Sequence, residues 1–291
     1  MKQRTATTRP LSVEDALLLV KGEGITIVRS EVTSGEITYV SSPFPGAGGC
    51  VSFAGAKHTA AEHFLSQSSL VFLPPEMDEA LLEKFPNHAI VARPRLAYAL
   101  VAQEVKHRSL RLSHPHPSFG WGEKLSLSIH ESAIIGRGVV FHGKVTVGAQ
   151  SIIGDNAVIG GNGFGYERDR HGLPVHLPHI GDVEIAERVT IGSHCTVHRG
   201  TFGTTKIGAD SKLDSHVQIS HNADVGQGVL VASGAQIAGS VSVGDYSWVG
   251  TNAVVSNGVH LGQRSWVAIG AIVLKDVQDD WRVFGNPARR Y

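Results

Sequence analysis

A repeat of six residues dominates the second half of the chain. The positions that keep its register are all aliphatic over twelve consecutive repeats: Ile207, Leu213, Ile219, Val225, Val231, Ile237, Val243, Val249, Val255, Leu261, Val267 and Val273. A period of six matches neither a helix, with 3.6 residues per turn, nor a strand, which alternates every two residues. It is typical of a hexapeptide solenoid, in which each hexad forms one flat side of a triangular coil and its aliphatic side chain points inward. Three hexads make a coil of about 18 residues, and neighbouring coils stack about 4.8 Å apart.

The same register begins upstream and is interrupted twice. It is kept by a first group of residues, resumes after residue 184, and pauses again after residue 197: Ile129, Ile135, Phe141, Val147, Ile153, Ile159, then Ile185, Ile191, Val197. We therefore predict a β-helix over residues 125–278, with inserted loops at 160–184 and 198–206 and a C-terminal tail at 279–291. Insertions leave a solenoid at its corners, often on the binding side.

Residues 1–112 lack the six-residue period. Ser12 is predicted to cap a helix that runs to about Val20. Short apolar runs predict strands at 25–29, 37–40, 49–53, 70–73 and 89–92, and further helices are predicted at 59–67, 78–85 and 95–106. Residues 113–124 begin with a His- and Pro-rich stretch that is typical of a linker. The predicted fold class is mainly β, a parallel β-helix preceded by a small α/β domain.

The composition narrows the possible partners and the cellular location. Lysine plus arginine and aspartate plus glutamate both number 26, so the formal net charge is zero and gives no global reason to bind nucleic acid. The two cysteines, Cys50 and Cys195, offer no disulfide framework. We find no signal peptide pattern and no apolar run long enough to cross a membrane. These features predict a cytoplasmic protein without an integral membrane segment.

Two motifs within the solenoid carry a resemblance to a known family. The first, Gly161-Asn162-Gly163-Phe164-Gly165-Tyr166, opens the first insertion, and the second, Asp214-Ser215-His216-Val217-Gln218-Ile219-Ser220-His221-Asn222, lies in the central coils. Together with the α/β domain in front of the repeats, they resemble UDP-3-O-acylglucosamine N-acyltransferase of lipid A synthesis. The resemblance implies that the β-helix is left-handed and that the protein is a homotrimer.

The resemblance also implies that His221 is the general base and that Asp214 supports it. An amine that attacks a thioester must lose a proton, and histidine titrates near neutrality, which suits that task. Gly239 lies 18 residues after His221, one coil further on the same face, so its amide is predicted to bind the oxyanion. A surface histidine at a solenoid corner is the simpler alternative for His221. Three polar residues are expected to line the substrate cleft: Gln218, Asn222 and Gln236.

The chain departs from this family in the small domain. The family's uracil site is an aromatic residue followed by Asn and then Tyr. Phe53 matches the aromatic residue, but Ala56 and Thr59 stand in the other two places. Phe53 is therefore either a substrate contact or a core residue. The loop that contains Phe164 and Tyr166 is predicted to cover the acceptor or the pantetheine arm of the donor.

The C-terminal tail resembles that of acetyl-CoA-dependent hexapeptide transferases instead. In those enzymes basic side chains near the tail meet the phosphates of CoA, and four residues are candidates here: Lys275, Arg282, Arg289 and Arg290. The main prediction is an N-acyltransferase that moves acetyl or another short acyl group from acyl-CoA to a nucleotide-linked amino sugar for lipopolysaccharide, O-antigen or capsule. The alternative is the lipid A enzyme, with acyl carrier protein as its donor.

A different chemical class stays open because of the histidines. His216 and His221 are five residues apart, which is similar to the zinc-binding pair of γ-carbonic-anhydrase-type β-helices. A catalytic zinc needs three protein ligands and an open water position. The third ligand is expected near residue 180, where His179 is close by number only. The main prediction involves no metal.

Overall fold

A computed structural model of the chain describes residues 10–32, 36–37, 39–40, 50–54, 68–77, 82, 85, 87–110 and 125–290. The chain forms two compact units, Met1–Gly122 with Phe164–Ile180, and Glu123–Gly163 with Gly181–Tyr291. The predicted helix at 59–67 and the predicted linker lie outside the described residues, as does most of the predicted helix at 78–85. Within the described ranges, we find no helix with the length and apolar character needed to cross a bilayer.

The first unit contains a five-stranded sheet and two described helices. Helix α1 (Val13–Gly22) begins at the predicted cap, where Ser12 Oγ accepts a hydrogen bond from the Asp15 amide at 3.0 Å. Helix α2 spans Pro94–Leu110. The strands are β1 (Leu11–Ser12), β2 (Ile27–Glu31), β3 (Glu36–Ile37), β4 (Tyr39–Val40), β5 (Cys50–Phe53), β6 (Leu70–Leu73) and β7 (His88–Val91). The sheet order is β2-β7-β6-β5-β4, and only the β2–β7 pair is antiparallel.

The second unit is a parallel β-helix with three faces. The first face contains β8 (Ser126–Ile129), β11 (Lys144–Val147), β16 (Asp182–Ile185), β19 (Thr204–Ile207), β22 (Asp224–Val225), β25 (Ser242–Val243) and β28 (His260–Leu261). The second face contains β9 (Ile134–Ile135), β12 (Ile152–Ile153), β17 (Thr190–Ile191), β20 (Lys212–Leu213), β23 (Leu230–Val231), β26 (Trp248–Val249), β29 (Trp266–Val267), β31 (Arg282–Phe284) and β32 (Arg289–Arg290). The third face contains β10 (Val140–Phe141), β13 (Val158–Gly161), β18 (Thr196–His198), β21 (Gln218–Ile219), β24 (Gln236–Ile237), β27 (Val254–Val255) and β30 (Ile272–Val273).

The six-residue register places one aliphatic side chain of each short strand inside the β-helix. Ile219 pairs with Ile237 on the next coil, 18 residues on, and both are fully buried. The residues before them, Gln218 and Gln236, point outward and pair in the same way. This stacking of aliphatic side chains builds one continuous core along the axis. The predicted fold class, mainly β with a parallel β-helix after a small α/β domain, is confirmed.

The predicted first insertion contains a hairpin. Strands β14 (Tyr166–Arg168) and β15 (Pro174–His176) pair antiparallel within the first unit. Its Glu167 carboxylate lies 3.0 Å from Arg95 Nε at the start of α2, and Gln103 Nε2 donates to the His176 carbonyl at 2.7 Å. These contacts bind the hairpin to α2, so the insertion belongs structurally to the first unit although the sequence places it between coils.

Candidate active site

His221 lies at the corner where the chain passes from the third face to the first, between β21 and β22. The next residue, Asn222, adopts the left-handed conformation that this corner requires, with φ 61°. Asparagine tolerates that region better than most residues because its short polar side chain bonds locally. The Asn222 amide donates to Thr205 Oγ1 at 2.8 Å, which fixes the corner to the start of the first face.

The hydrogen bonds around Asn222 fix the tautomer of His221. Both the backbone amide and the hydroxyl of Thr201 donate to Asn222 Oδ1, at 3.0 and 2.9 Å. A backbone amide can only donate, so this side-chain atom is the carbonyl oxygen. It also lies 3.1 Å from His221 Nδ1, with Thr201 Oγ1 at 3.4 Å from the same nitrogen. His221 Nδ1 therefore carries the proton, and Nε2 is the basic nitrogen of the ring.

The Nε2 and Cε1 atoms of the His221 ring lie against Gly239, as the coil arithmetic predicts. A Cβ atom on Gly239 would stand 2.7 Å from His221 Nε2, 2.6 Å from Cε1 and 2.7 Å from Asn257 Oδ1. Only a residue without a side chain allows the imidazole and the Asn257 amide to approach this closely. Among the backbone hydrogen bonds of the described residues, the Gly239 amide is not a donor. This amide is therefore available to a ligand beside the His221 lone pair.

A second imidazole stands near His221. His198 is the last residue of β18, and burial, followed by the charge of His221, lowers its pKa. Cys195 directly precedes β18. Its side chain points into the core, and burial raises the pKa of its thiol. Its Sγ lies 3.0 Å from the Asp214 carbonyl, so it packs as a structural thiol and not as a nucleophile.

The structure separates Asp214 from His221 within one chain. Asp214 follows β20 at the corner between the second and third faces. Strand β21 lies between this corner and the corner that carries His221. Its carboxylate is exposed and accepts a hydrogen bond from the Ser215 amide at 2.7 Å. Within a single chain, the partners of His221 Nδ1 are Asn222 and Thr201 instead.

The other predicted cleft residues occupy the third face beside His221. Gln218 and Gln236 are half-buried, and their side chains form short-range bonds, to Ser220 Oγ at 3.1 Å and to the Gly234 carbonyl at 3.3 Å. Sequence reasoning missed Thr201, His198 and Asn257. Asn257 is 18 residues after Gly239, so extending the coil arithmetic by one coil would have found it. Thr201 follows an interruption of the register, where the arithmetic fails.

The predicted aromatic contacts all belong to the first unit. Phe53 is half-buried, with its ring centroid 5.2 Å from that of the fully buried Tyr98, which favours the core interpretation. Phe164 is 85% exposed, and its ring centroid lies 4.9 Å from that of Tyr166. These two rings form an exposed aromatic pair on the hairpin.

The basic tail residues gather at the C-terminal end of the β-helix. Three of them, Lys275, Arg289 and Arg290, line a cavity of about 490 Å³ whose walls are otherwise mostly apolar. The Arg290 guanidinium lies 4.5 Å from the centre of the Trp281 ring. The fourth predicted residue, Arg282, is exposed on β31 and does not line this cavity.

Two histidines of the zinc alternative, His216 and His221, lie at different corners of the β-helix. His216 is at the same corner region as Asp214, where its ring stacks on that of His194 with centroids 5.1 Å apart. His179 is buried in the first unit. Across the described parts of the chain, no group of three or more His, Cys, Asp or Glu residues is placed to hold a metal ion.

Comparison with known proteins finds relatives that are named as acyltransferases. No protein family model matches the chain. The UDP-3-O-acylglucosamine N-acyltransferase of Maricaulis maris is 48% identical over 86 residues, 30% of this chain and 25% of that protein. The Coxiella burnetii protein of the same name is 30% identical over 191 residues, 54% of this chain and 56% of that protein.

Among solved structures, LpxA from Acinetobacter baumannii is 27% identical, with a TM-score of 0.39, and the match covers 57% of this chain and 72% of that one. The match covers about half the length of the Coxiella relative and a quarter of the Maricaulis relative. The similarity to UDP-3-O-acylglucosamine N-acyltransferases that the sequence motifs predict is confirmed by these relatives.

Proposed function

We propose that the protein is an N-acyltransferase that moves an acyl group from a thioester to the amine of a nucleotide-linked amino sugar. The observation that carries this proposal is the pairing of His221 with Gly239. A histidine whose Nδ1 is hydrogen-bonded presents the lone pair of Nε2 beside a free backbone amide, which is the arrangement needed for acyl transfer.

The reaction follows from this arrangement in two steps. His221 Nε2 accepts a proton from the sugar amine as the amine nitrogen attacks the thioester carbon, and the Gly239 amide donates to the oxygen that becomes negative. The tetrahedral intermediate then collapses, the carbon–sulfur bond breaks, and the thiolate takes the proton back from the imidazolium. Direct attack within a ternary complex is the proposed route, and the one cysteine side chain that the structure describes, Cys195, is buried in the core away from any substrate.

The names of the curated relatives favour the alternative substrate pair over the main prediction. They are named for UDP-3-O-acylglucosamine, so we propose this compound as the acceptor and an acyl carrier protein as the donor, with lipid A synthesis as the setting. Acetyl-CoA remains the second candidate donor. Its support is the cavity at the C-terminal end. Three positive side chains line it, Lys275, Arg289 and Arg290, with one negative side chain, Asp276, so its lining has a net positive charge for phosphates.

We further propose that the protein is a cytoplasmic homotrimer. The outward residues of the second face are apolar and exposed on several coils, namely Ile134, Ile152, Leu230 and Trp248. Soluble chains bury apolar patches of this kind in interfaces, and closed cyclic symmetry is the usual arrangement. The buried free thiol of Cys195 suits a reducing compartment.

The first test compares wild type with the His221→Ala variant in an acyl transfer assay. We expect a loss of at least about 10²-fold, because the variant lacks the base. His260→Ala is the matched control, since His260 lies exposed on the first face, and we expect it to keep wild-type activity. Activity of His221→Ala within about threefold of wild type would overturn the proposed role.

The same assay identifies the substrates. Wild type and both variants are each given one acyl donor, either 3-hydroxyacyl carrier protein or acetyl-CoA. The acceptors are UDP-3-O-acylglucosamine and a panel of UDP-, dTDP- and GDP-linked amino sugars. Transfer from the carrier protein to UDP-3-O-acylglucosamine is the expected result. Transfer from acetyl-CoA alone would establish the second candidate. Failure with every pair, together with stoichiometric zinc in the purified protein, would favour the zinc alternative.

A further inference from the structure

His198 is a second imidazole in the site, and the reaction proposed above does not use it. It lies at the end of β18 and pairs with Gly161 on the preceding coil. A Cβ atom on Gly161 would stand 3.9 Å from His198 Cδ2, which is an ordinary contact distance, so the ring lies beside this residue. The side chain is half-buried at the same corner of the β-helix that carries His221.

The surroundings of His198 determine which ring nitrogen carries its proton. Nδ1 is buried, and none of the described residues offers it a hydrogen-bond partner. A buried N–H without an acceptor is rarer in folded proteins than an acceptor that lacks a donor, so the proton belongs on Nε2. His198 Nε2 differs from Nδ1 because it does not belong to the buried atoms that lack a partner. Among the described residues, no hydrogen bond involves it. Neutral His198 therefore presents an Nε2–H donor on its accessible side.

Strand pairing shows where His198 lies relative to His221 and Gly239 along the axis of the β-helix. Val197 pairs with Ile219, so His198 is level with Ser220, one coil before His221. Gly239 lies one coil after His221. His221 is thus flanked by the oxyanion donor on one side and by His198 on the other. With the thioester carbonyl at Gly239 and the amine at His221, the side of His221 toward His198 is left for the rest of the acceptor sugar.

We propose that His198 binds the acyl acceptor, donating a hydrogen bond from Nε2 to an oxygen of the amino sugar next to the reacting amine. The two histidines then have complementary roles, because His221 accepts a proton at Nε2 while His198 donates a hydrogen bond there. This assignment rests on the proposed function and makes His198 a residue that selects and orients the acceptor without touching the donor.

The test uses two variants that differ in the donor alone. His198→Gln places an amide N–H about where Nε2 lies, whereas His198→Leu keeps a similar volume without a donor. We expect His198→Leu to raise the KM and the Kd of UDP-3-O-acylglucosamine about tenfold, the usual effect of one lost hydrogen bond. The KM of the acyl donor should stay within about twofold, and His198→Gln should recover acceptor binding to within about threefold of wild type.

Each result has a defined meaning. Equal behaviour of the Gln and Leu variants, or an effect on the donor KM, would overturn the role of His198. Calorimetric titration with the acceptor separates this failure from a failure of the proposed function. If wild type binds no acceptor, the proposed function and this assignment fall together. If wild type and His198→Leu bind it equally well, only the assignment falls. Thermal melting of both variants shows whether they are folded.

Discussion

His221 and His198 carry their protons on different ring nitrogens because their surroundings differ. At His221, the side-chain oxygen of Asn222 accepts from Nδ1 and is itself held by two donors from Thr201. At His198, the buried Nδ1 meets no acceptor among the described residues, so the proton is favoured on Nε2. The Asn222 amide oxygen at one imidazole and a buried Nδ1 without an acceptor at the other thus favour opposite tautomers on neighbouring coils.

The lowered pKa of His198 predicts a pH-dependent stability. Burial, and after it the electrostatic effect of His221, lower the pKa of the folded His198 imidazole, whereas in the unfolded chain its pKa returns to about 6.5. At a pH between the folded and unfolded pKa values of His198, the unfolded state binds more protons than the folded state. The contribution of neutral His198 to the free energy of unfolding is therefore fully present above the unfolded pKa, and it is lost as the pH falls toward the folded pKa. We expect the wild-type Tm to fall between about pH 7.5 and about pH 5, and to fall less in His198→Gln. Melting curves of both proteins at the two pH values check this.

A matched substitution on the surface makes that comparison specific. His260→Gln removes an exposed imidazole from the first face and should show the same fall in Tm as wild type. If His198→Gln loses as much stability as wild type on acidification, the burial of neutral His198 does not contribute to the acid sensitivity.

At the level of the coil, the proposed site at the corner between the third and first faces depends on a glycine, Gly239. We expect Gly239→Ala to lower kcat by about 10²-fold with little change in fold, since the new Cβ would collide with the His221 ring and with Asn257 Oδ1. Steady-state kinetics and melting curves measure the two effects. Gly161→Ala is the matched control, because its Cβ meets only ordinary contacts, the closest at 3.8 Å. Equal kcat values for wild type and Gly239→Ala would show that the close approach has no catalytic importance.

The coil also explains how much the sequence could predict. Ile219 and Ile237 show the inward register directly, and the 18-residue spacing correctly placed Gly239 against His221. The arithmetic holds only while hexads are uninterrupted. Between β18 and β19 the chain makes an irregular excursion, and this is where Thr201 reaches Asn222. Such a contact depends on the path of a loop, which no periodicity encodes.

The roles predicted for Asp214 and Phe53 rest on resemblance alone, and they stay predictions. The motif places Asp214 seven residues before His221, but each corner of a coil turns the chain to another face, so closeness in sequence becomes separation in space. Phe53 matches an aromatic position, yet its ring packs on Tyr98. Both roles require a side chain to point in a particular direction, and residue identity alone does not determine that.

For the whole molecule, the contrast between faces predicts the assembly. The outward positions of the first face include charged residues such as Lys206 and Asp224, whereas Leu230 and Trp248 are exposed on the second face. We expect light scattering to give about 93 kDa for three chains of 31.0 kDa. Trp248→Lys should shift the mass toward one chain, because a charge would be buried in the interface.

The control for the assembly is a charge change on the polar face. Asp224→Lys alters an exposed residue of β22 and should leave the mass unchanged. A single-chain mass for the wild-type protein at micromolar concentration would contradict the trimer. So would a Trp248→Lys variant that keeps the wild-type mass.

The stacking of coils also has a consequence for how the protein melts. Each coil pairs only with the one before it and the one after it, so its order depends on nearest neighbours, as in a zipper. We expect the terminal coils to unfold first, because each of them has one neighbouring coil instead of two. The coil of His221 lies well inside the stack, with strands of the third face from β10 to β18 before it and from β24 to β30 after it. Fraying at either end therefore leaves the reacting groups in place, and catalysis should outlast the first loss of structure on heating.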